Sequence, residues 1–386
     1  MKLHSFYGGV DLYRKEKIFY GHFQKPHRCL STSRVNGGMH EDLEYMINHQ
    51  SCEPVKHGGT DLFDVAVNEP ERYLKRITSK AGIHSDRATL LNTAANMNNA
   101  AIEHCHFEGL EVVAVCTAGV GSNAGRAGDP ASYHQTATGI RGLGTPTPKA
   151  GTIISMLFIN EELTPGALVI AATVATEAKS ALLQELCAPS CYSKGIATGT
   201  GTDQIGVASM MGSPVCHGDA NKHSKLGELI ALATRGALLK ALNLQSGMTP
   251  DSRRSSLLQL QRFGETEDSF ENSVAAQLDP QNATLFKNNF LPVNHDPVTV
   301  AAVQACVHVK DQIDWGVLPE SCANDTLFYQ ASLIARAVSG KTMDPALFLE
   351  NGSMNEPANA DGSFLSLIHK AFATGFSMKW QGRYED

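Results

Sequence analysis

The chain has 386 residues, 42 % of them apolar and 18 % charged, a composition that supports a sizeable folded core and excludes general disorder. Its length corresponds to about two domains at roughly 150 residues each. The net charge of −7, from 32 basic and 39 acidic residues, leaves no positive footprint for nucleic acid. That charge is unevenly placed: residues 1–245 hold 22 basic and 22 acidic side chains, residues 246–386 hold 10 and 17. Because 26 of the 34 glycines also precede residue 246, we expect a neutral, turn-rich unit over 1–245 and an acidic, mostly helical one over 246–386. No run approaches the roughly 18 to 20 apolar residues of a membrane span, and MKLHSFYGGVDLYRK lacks a signal-peptide pattern. A cytoplasmic protein without a membrane partner is the expectation, with its nine scattered cysteines reduced.

In chain order, residues 10–33 are rich in Tyr, Phe, Val and Ile around Gly21 and Pro26, and predict a small antiparallel meander ending near Asn36-Gly37-Gly38. Residues 86–107 carry Ala, Leu and Met at mixed spacing and predict a helix; EVVAVC at 111–116 predicts a buried strand. TAGVGSNAGRAGDP at 117–130 follows it, a loop whose four glycines let the backbone approach a ligand closely. The chain stays rich in Gly, Pro and Thr to Ala150, and GTIISMLFIN at 151–160 then predicts a second buried strand. Thr164-Pro165 opens a helix running to about Cys187, ATGTGTDQIGVAS at 197–209 is a glycine turn feeding a strand, and residues 223–243 predict an amphipathic helix capped by Ser224. The fold class expected is therefore α/β, a layered mixed sheet with glycine-rich loops. Short helices near 256–263, 297–308, 326–338 and 363–374 follow a polar linker.

The chemistry is less direct. Neither GxGxxG nor GxxxxGK[ST] occurs in the glycine loop, so no dinucleotide or P-loop site is expected, and there is no GxSxG elbow or HExxH motif. His104-Cys105-His106 lies on the predicted helix, where residues two apart diverge, and Cys187 and Cys191 form a single pair; no metal site is expected. Arg126 and Asp129 offer a guanidinium clamp and a carboxylate acceptor, or merely brace their loop. Thr152, Thr198, Thr200 and Thr202 stand at loop–strand junctions, where a hydroxyl usually stabilises the turn. Asp203, His223 just outside a helix N-terminus and Glu228 one turn into it are the acid–base candidates, the helix dipole favouring the neutral imidazole that a base requires.

NGG at 36–38, NTAANM at 92–97, the 117–130 loop, GTIISMLFIN, ATEAK at 175–179, ATGTGTDQI at 197–205 and HSKLGELI at 223–230 together resemble, in order, the adenosylcobinamide amidohydrolase family (CbiZ). The resemblance covers residues 10–245 and implies hydrolysis of the amide joining a corrin side chain to aminopropanol, giving adenosylcobyric acid for corrinoid salvage. The cobalt is then part of the corrinoid substrate, and no protein-bound cofactor is implied; a homo-oligomer is left open. Asn36, Gly37, Gly38, Asn123, Arg126, Asp129, Glu177, Thr200, Asp203, His223 and Glu228 sit in the family-like strings. On this reading His223 activates water or shuttles the proton, Asp203 or Glu228 orients it, and Arg126 and Asn123 grip the corrinoid. Gly121 and Ser122, and GTIIS in place of GTINI, depart from the family pattern. The alternative is a corrinoid-binding or sensing protein without the chemistry. A second mechanism rests on a loose likeness of the Gly-Thr strand start and GTGTD turn to self-processing acyltransferases and aminopeptidases, which are cut before a Thr.

Overall fold

The computed structural model describes residues 1–52, 61–144, 150–342 and 358–380. Two compact units divide it, Met1–Thr249 and Pro250–Asp386, four residues from the break in composition.

The first unit stacks four layers. One sheet has the order β1 (Lys2–Phe6), β2 (Val10–Lys15), β3 (Ile18–Phe23), β6 (Tyr45–Gln50), β7 (Ala88–Thr93). The other runs β5 (Gly38–His40), β4 (His27–Ser31), β16 (Gln204–Met210), β13 (Ile153–Ile159), β9 (Leu110–Ala118), β8 (Ala101–Phe107). The sheets face each other across Val10, Leu12, Phe19, Met46, Leu91, Val113, Val115, Ile154, Met156 and Phe158. Helices α1 (Asp61–Asn68) and α2 (Pro70–Ala81) join β6 to its parallel partner β7, and α2 buries Tyr73, Leu74 and Ile77 against the outer face of the first sheet. Helices α3 (Pro165–Glu185) and α4 (Lys225–Ser246) cover the second sheet's outer face through Leu168, Ala171, Leu182, Leu226, Ile230 and Ala237.

The sequence accounts for the central elements. Strand β13 turns Ile153, Leu157 and Ile159 to the helices and Ile154, Met156 and Phe158 to the facing sheet, so it reads as one unbroken apolar run. It pairs antiparallel with β9 and parallel with β16, α3 making the crossover. Thr164 caps α3 by accepting the Ala167 N–H, with Pro165 at the first helical position. Ser224 caps α4 by accepting the Gly227 N–H over 3.0 Å, and Gly247 ends it in the left-handed region. By length and composition α3 also meets the criterion for a membrane span, but its alanine face packs on the sheet.

Two expectations are corrected. Residues 86–107 are not helical: they form β7, a 3-10 turn at Met97–Asn99 and β8. Strand β7 is buried on both faces, Leu91 toward the facing sheet and Ala88 and Leu90 toward α2, so its apolar pattern carries no strand period to read. The meander also divides: β2 and β3 pair with each other, whereas β4 leaves for the second sheet to lie beside β16. Small ladders link β10 (Ala124–Gly125) with β15 (Gly199–Thr200), β11 (Tyr133–Thr136) with β12 (Gly139–Gly142), and β14 (Glu162–Leu163) with β17 (Cys216–His217).

The second unit is helical, with described helices from Ser256–Leu260 to Asp361–Trp380 around a phenylalanine-rich core that includes Phe270, Phe286, Phe364, Phe372 and Phe376. Arg262 and Asp311 form a buried bidentate pair at 2.8 and 2.5 Å. Lys310, 1 % exposed, bonds Asp314 and the Asn359 carbonyl, and its ammonium lies over the adjoining rings of Phe263 and Phe364.

Candidate active site

The cleft opens where β6, β7 and β4 end and β13 and β16 begin. At this edge polar side chains stitch the sheets together: Ser31 to Thr89 at 2.7 Å, Asn48 to Thr117 at 3.0 Å, and the Asn92 N–H to Gln204 at 2.8 Å. The cavity measures about 690 Å³, and its lining includes Thr32, Arg34, Asn92, Ser122, Thr152 and Asp203.

Three loops form its floor. The Gly151 carbonyl accepts two hydrogen bonds, from Asn123 Nδ2 at 2.6 Å and from Thr202 Oγ1 at 3.0 Å. Thr202 Oγ1 lies 2.7 Å from Thr152 Oγ1. Since Thr202 gives its proton to Gly151, Thr152 is the donor of that contact. Tyr192 Oη donates to Asn123 Oδ1 at 2.5 Å, which turns the Asn123 amide so that its N–H₂ faces Gly151. Asn123 is fully buried and Thr152 nearly so. A side chain at Gly151 has no room: a Cβ there would stand 2.8 Å from Asn123 Cβ and 2.9 Å from the Gly119 carbonyl oxygen.

Asp203 locks the GTGTD turn to β13. One carboxylate oxygen accepts the Ile153 N–H at 3.1 Å and Thr200 Oγ1 at 2.6 Å; the other accepts the Thr200 N–H at 3.0 Å and the ammonium of Lys179. The pair is mostly buried, 13 % and 16 % exposed at the side chains. It sits so close to the turn that a Cβ at Gly199 would come within 2.3 Å of Asp203 Oδ2. With four donors in place, this carboxylate is a clamp and has no lone pair left facing a substrate proton.

Of the residues chosen from sequence, the fold thus brings together Asn123, Thr200 and Asp203. Arg126 and Asp129 brace the adjoining wall. The Arg126 N–H and Ser190 Oγ both bond Asp129 Oδ2, and the Arg126 guanidinium reaches the Ile196 carbonyl at 3.0 Å. Burial raises the Asp129 pKa, but the hydrogen bonds from Ser190, Ser193 and Arg126 outweigh it and hold the carboxyl below its ordinary value. Asn36, at positive φ, gives its side-chain N–H₂ to the Ser85 and Ala88 carbonyls, and a Cβ on Gly37 would strike the Ser33 carbonyl oxygen; with Gly38, also at positive φ, they build a corner. His223 is exposed, its backbone N–H bonding Asn221, and Glu228 is exposed and paired with Lys225. Lys225 lies over Phe107, which the strand registers put at the opposite sheet end from Asp203. No described hydrogen bond or ion pair joins His223 or Glu228 to the cleft.

Lys179 and Tyr192 escaped the sequence reading. Lys179 stands in the ATEAK string, but nothing in that string marks it as the partner of Asp203. Tyr192, in an irregular segment, gave no signal at all. His104 and His106 share a strand face, with rings 6.0 Å apart, and His104 pairs with Glu111. Among the described residues no group of three His, Cys, Asp or Glu is placed to hold a metal.

Comparison with known proteins decides the family. The family model for adenosylcobinamide amidohydrolase (CbiZ) matches residues 3–250, nearly two thirds of the chain. This chain belongs to the adenosylcobinamide amidohydrolase family. A curated relative from Methanocaldococcus jannaschii, described only as uncharacterized protein MJ1613, is 34 % identical over 208 residues, 52 % of this chain and 78 % of its own. Two solved structures are more distant. The PH0078 protein from Pyrococcus horikoshii OT3 is 13 % identical with a TM-score of 0.29, over 61 % of this chain and 83 % of that one. A Burkholderia sp. beta-aminopeptidase is 11 % identical with a TM-score of 0.31, over 61 % and 84 %. The adenosylcobinamide amidohydrolase match ends where the first structural unit does, so the family assignment concerns that unit and its cleft.

Proposed function

We propose that this member of the amidohydrolase family hydrolyses the amide joining the corrin side chain to aminopropanol in adenosylcobinamide, yielding adenosylcobyric acid for corrinoid salvage in the cytoplasm. The observation that carries the reading is the pair of donors, Asn123 Nδ2 and Thr202 Oγ1, converging on one carbonyl oxygen beside the Thr152 hydroxyl. Amide hydrolysis needs this set: a nucleophile, and donors aimed at the oxygen that becomes negative in the tetrahedral intermediate. The cleft suits a side arm entering from a bulky ring that stays at the mouth, where Arg34 and Thr32 stand. Cobalt enters with the substrate, and the chain's own residues supply binding and acyl transfer.

Incubation of the full chain with adenosylcobinamide, followed by mass spectrometry, tests the reading. Release of aminopropanol with adenosylcobyric acid supports it; stable binding of the corrinoid without product would make the protein a corrinoid binder instead.

A further inference from the structure

We propose that the chain cuts its own Gly151–Thr152 peptide bond, leaving Thr152 as an N-terminal nucleophile whose freed α-amine is the base of the amide hydrolysis. The second half of this statement rests on the function proposed above; the first half does not, and its test uses no corrinoid.

Four features of the intact chain point to this bond. The donors that suit an oxyanion are already occupied, and what occupies them is the carbonyl of Gly151. The next side chain is a hydroxyl, and it is hydrogen-bonded to Thr202, one of those two donors. Thr152, Thr202 and the Gly151 oxygen thus form a continuous proton path from the nucleophile to the carbonyl it would attack. Both flanks of the bond are clamped: on the N-terminal side Ser122 Oγ donates to the Ala150 carbonyl at 2.5 Å, and on the C-terminal side the Gly119 N–H holds the Thr152 carbonyl at 3.0 Å and Asp203 holds the Ile153 N–H at 3.1 Å. Such fixation removes the entropy cost of bringing hydroxyl and carbonyl together. Lastly, the neighbouring charges are committed, because Asp203 accepts four hydrogen bonds and Lys179 donates to it. Among the described residues of the uncut floor, Asp203 and Lys179 are thus committed to each other, and an α-amine at Thr152, with an ordinary pKa of about 8, supplies a base at the reacting atom.

The step balances as follows. Thr152 Oγ1 forms a bond to the Gly151 carbonyl carbon, the C–N bond breaks, and the hydroxyl proton, relayed through Thr202, ends on the Thr152 nitrogen. Water then hydrolyses the resulting ester, giving a Gly151 carboxylate, restoring the Thr152 hydroxyl beside a free amine and releasing one proton to solvent. As Gly151 departs, Asn123 and Thr202 face the cleft and receive a substrate carbonyl in its place.

Denaturing mass spectrometry of the purified full chain, with N-terminal sequencing, reads the outcome directly. We expect two polypeptides, 1–151 and 152–386, the second beginning Thr-Ile-Ile. Thr152→Ser should still be cut and Thr152→Ala should remain a single chain, while Asn123→Ala slows the cut by at least about a hundredfold. A folded wild-type chain that stays whole on prolonged incubation, a cut at another bond, or an equal cut in Thr152→Ala would each overturn the proposal. A cut chain that releases no aminopropanol would instead refute the corrinoid reading while leaving self-cleavage standing.

Discussion

Asn123 donates its side-chain amide to the backbone carbonyl of Gly151 over 2.6 Å, a bond that Tyr192 orients from the far side. The contact is buried and made to a carbonyl with a second donor already on it, an unusual concentration of donors for a turn that only needs to be stable. Its loss should show in the chemistry. Asn123→Ala is expected to lower kcat for aminopropanol release by about 10² to 10³, the range for losing one oxyanion donor, with a smaller change in KM. A variant at near-native kcat would remove Asn123 from the reaction.

His223 provides the complementary test. A general base contributes about a hundredfold or more, so His223→Ala would be crippling if this imidazole moved the proton. Because it is exposed at the start of α4 and, among the described residues, no hydrogen bond or ion pair joins it to the cleft, we expect turnover to stay close to wild type. A hundredfold loss would return His223 to the reacting centre.

The Lys179–Asp203 pair is a positioning device. Lys179→Met leaves a mostly buried carboxylate without its cation and should cost about 2 kcal/mol of stability, somewhat less than for fully buried pairs. Asp203→Asn in the same chain should restore part of that loss, since a neutral amide no longer needs the ammonium. Urea unfolding of the two single variants and the double variant gives the coupling; strict additivity would contradict the pairing.

Acid should weaken the first unit through two buried imidazoles. Burial lowers the pKa of His49 to about 3, assisted by the charges of Lys80 and Lys17, and that of His27 to about 4 against a hydrogen bond to the Lys25 carbonyl. The unfolded chain takes up these protons below about pH 6.5 and the folded chain does not until about pH 4 or 3. Stability therefore falls as the pH drops through that window, by about 2 to 3 kcal/mol for each histidine at pH 4.5. Urea midpoints at pH 7.5 and 4.5 should converge in a His27→Gln, His49→Gln double variant. An unchanged acid loss in that variant would clear both residues.

Much of this architecture was legible in the sequence because its signals are local. The apolar run of β13, the Thr164-Pro165 start of α3 and the Ser224 cap of α4 each depend on neighbours within a few residues. What could not be read depends on distant partners. Strand β7 is buried on both sides by segments far away in the chain, and the division of the meander between two sheets is decided by the pairing of β4 with β16. The site divides along the same line. The glycine strings located the loops, and Asn123, Thr200 and Asp203 with them, but nothing near Thr152 announces that its carbonyl neighbour is gripped from positions 123 and 202. The signals at His223, a family-like string and a helix start, are local, and they carry no information on its distance from the cleft.

The pairing of Ser31 with Gly206 also has a meaning in time. A nascent chain leaves the ribosome with β4 made early and without its neighbour, and that neighbour arrives only after the Gly-Thr bond, α3 and the GTGTD turn have been synthesised. Contacts this remote in sequence form late. Thr202 reaches Gly151 on the same schedule, so the reactive arrangement has no precursor in the first half of the chain, and a truncated product would be inert.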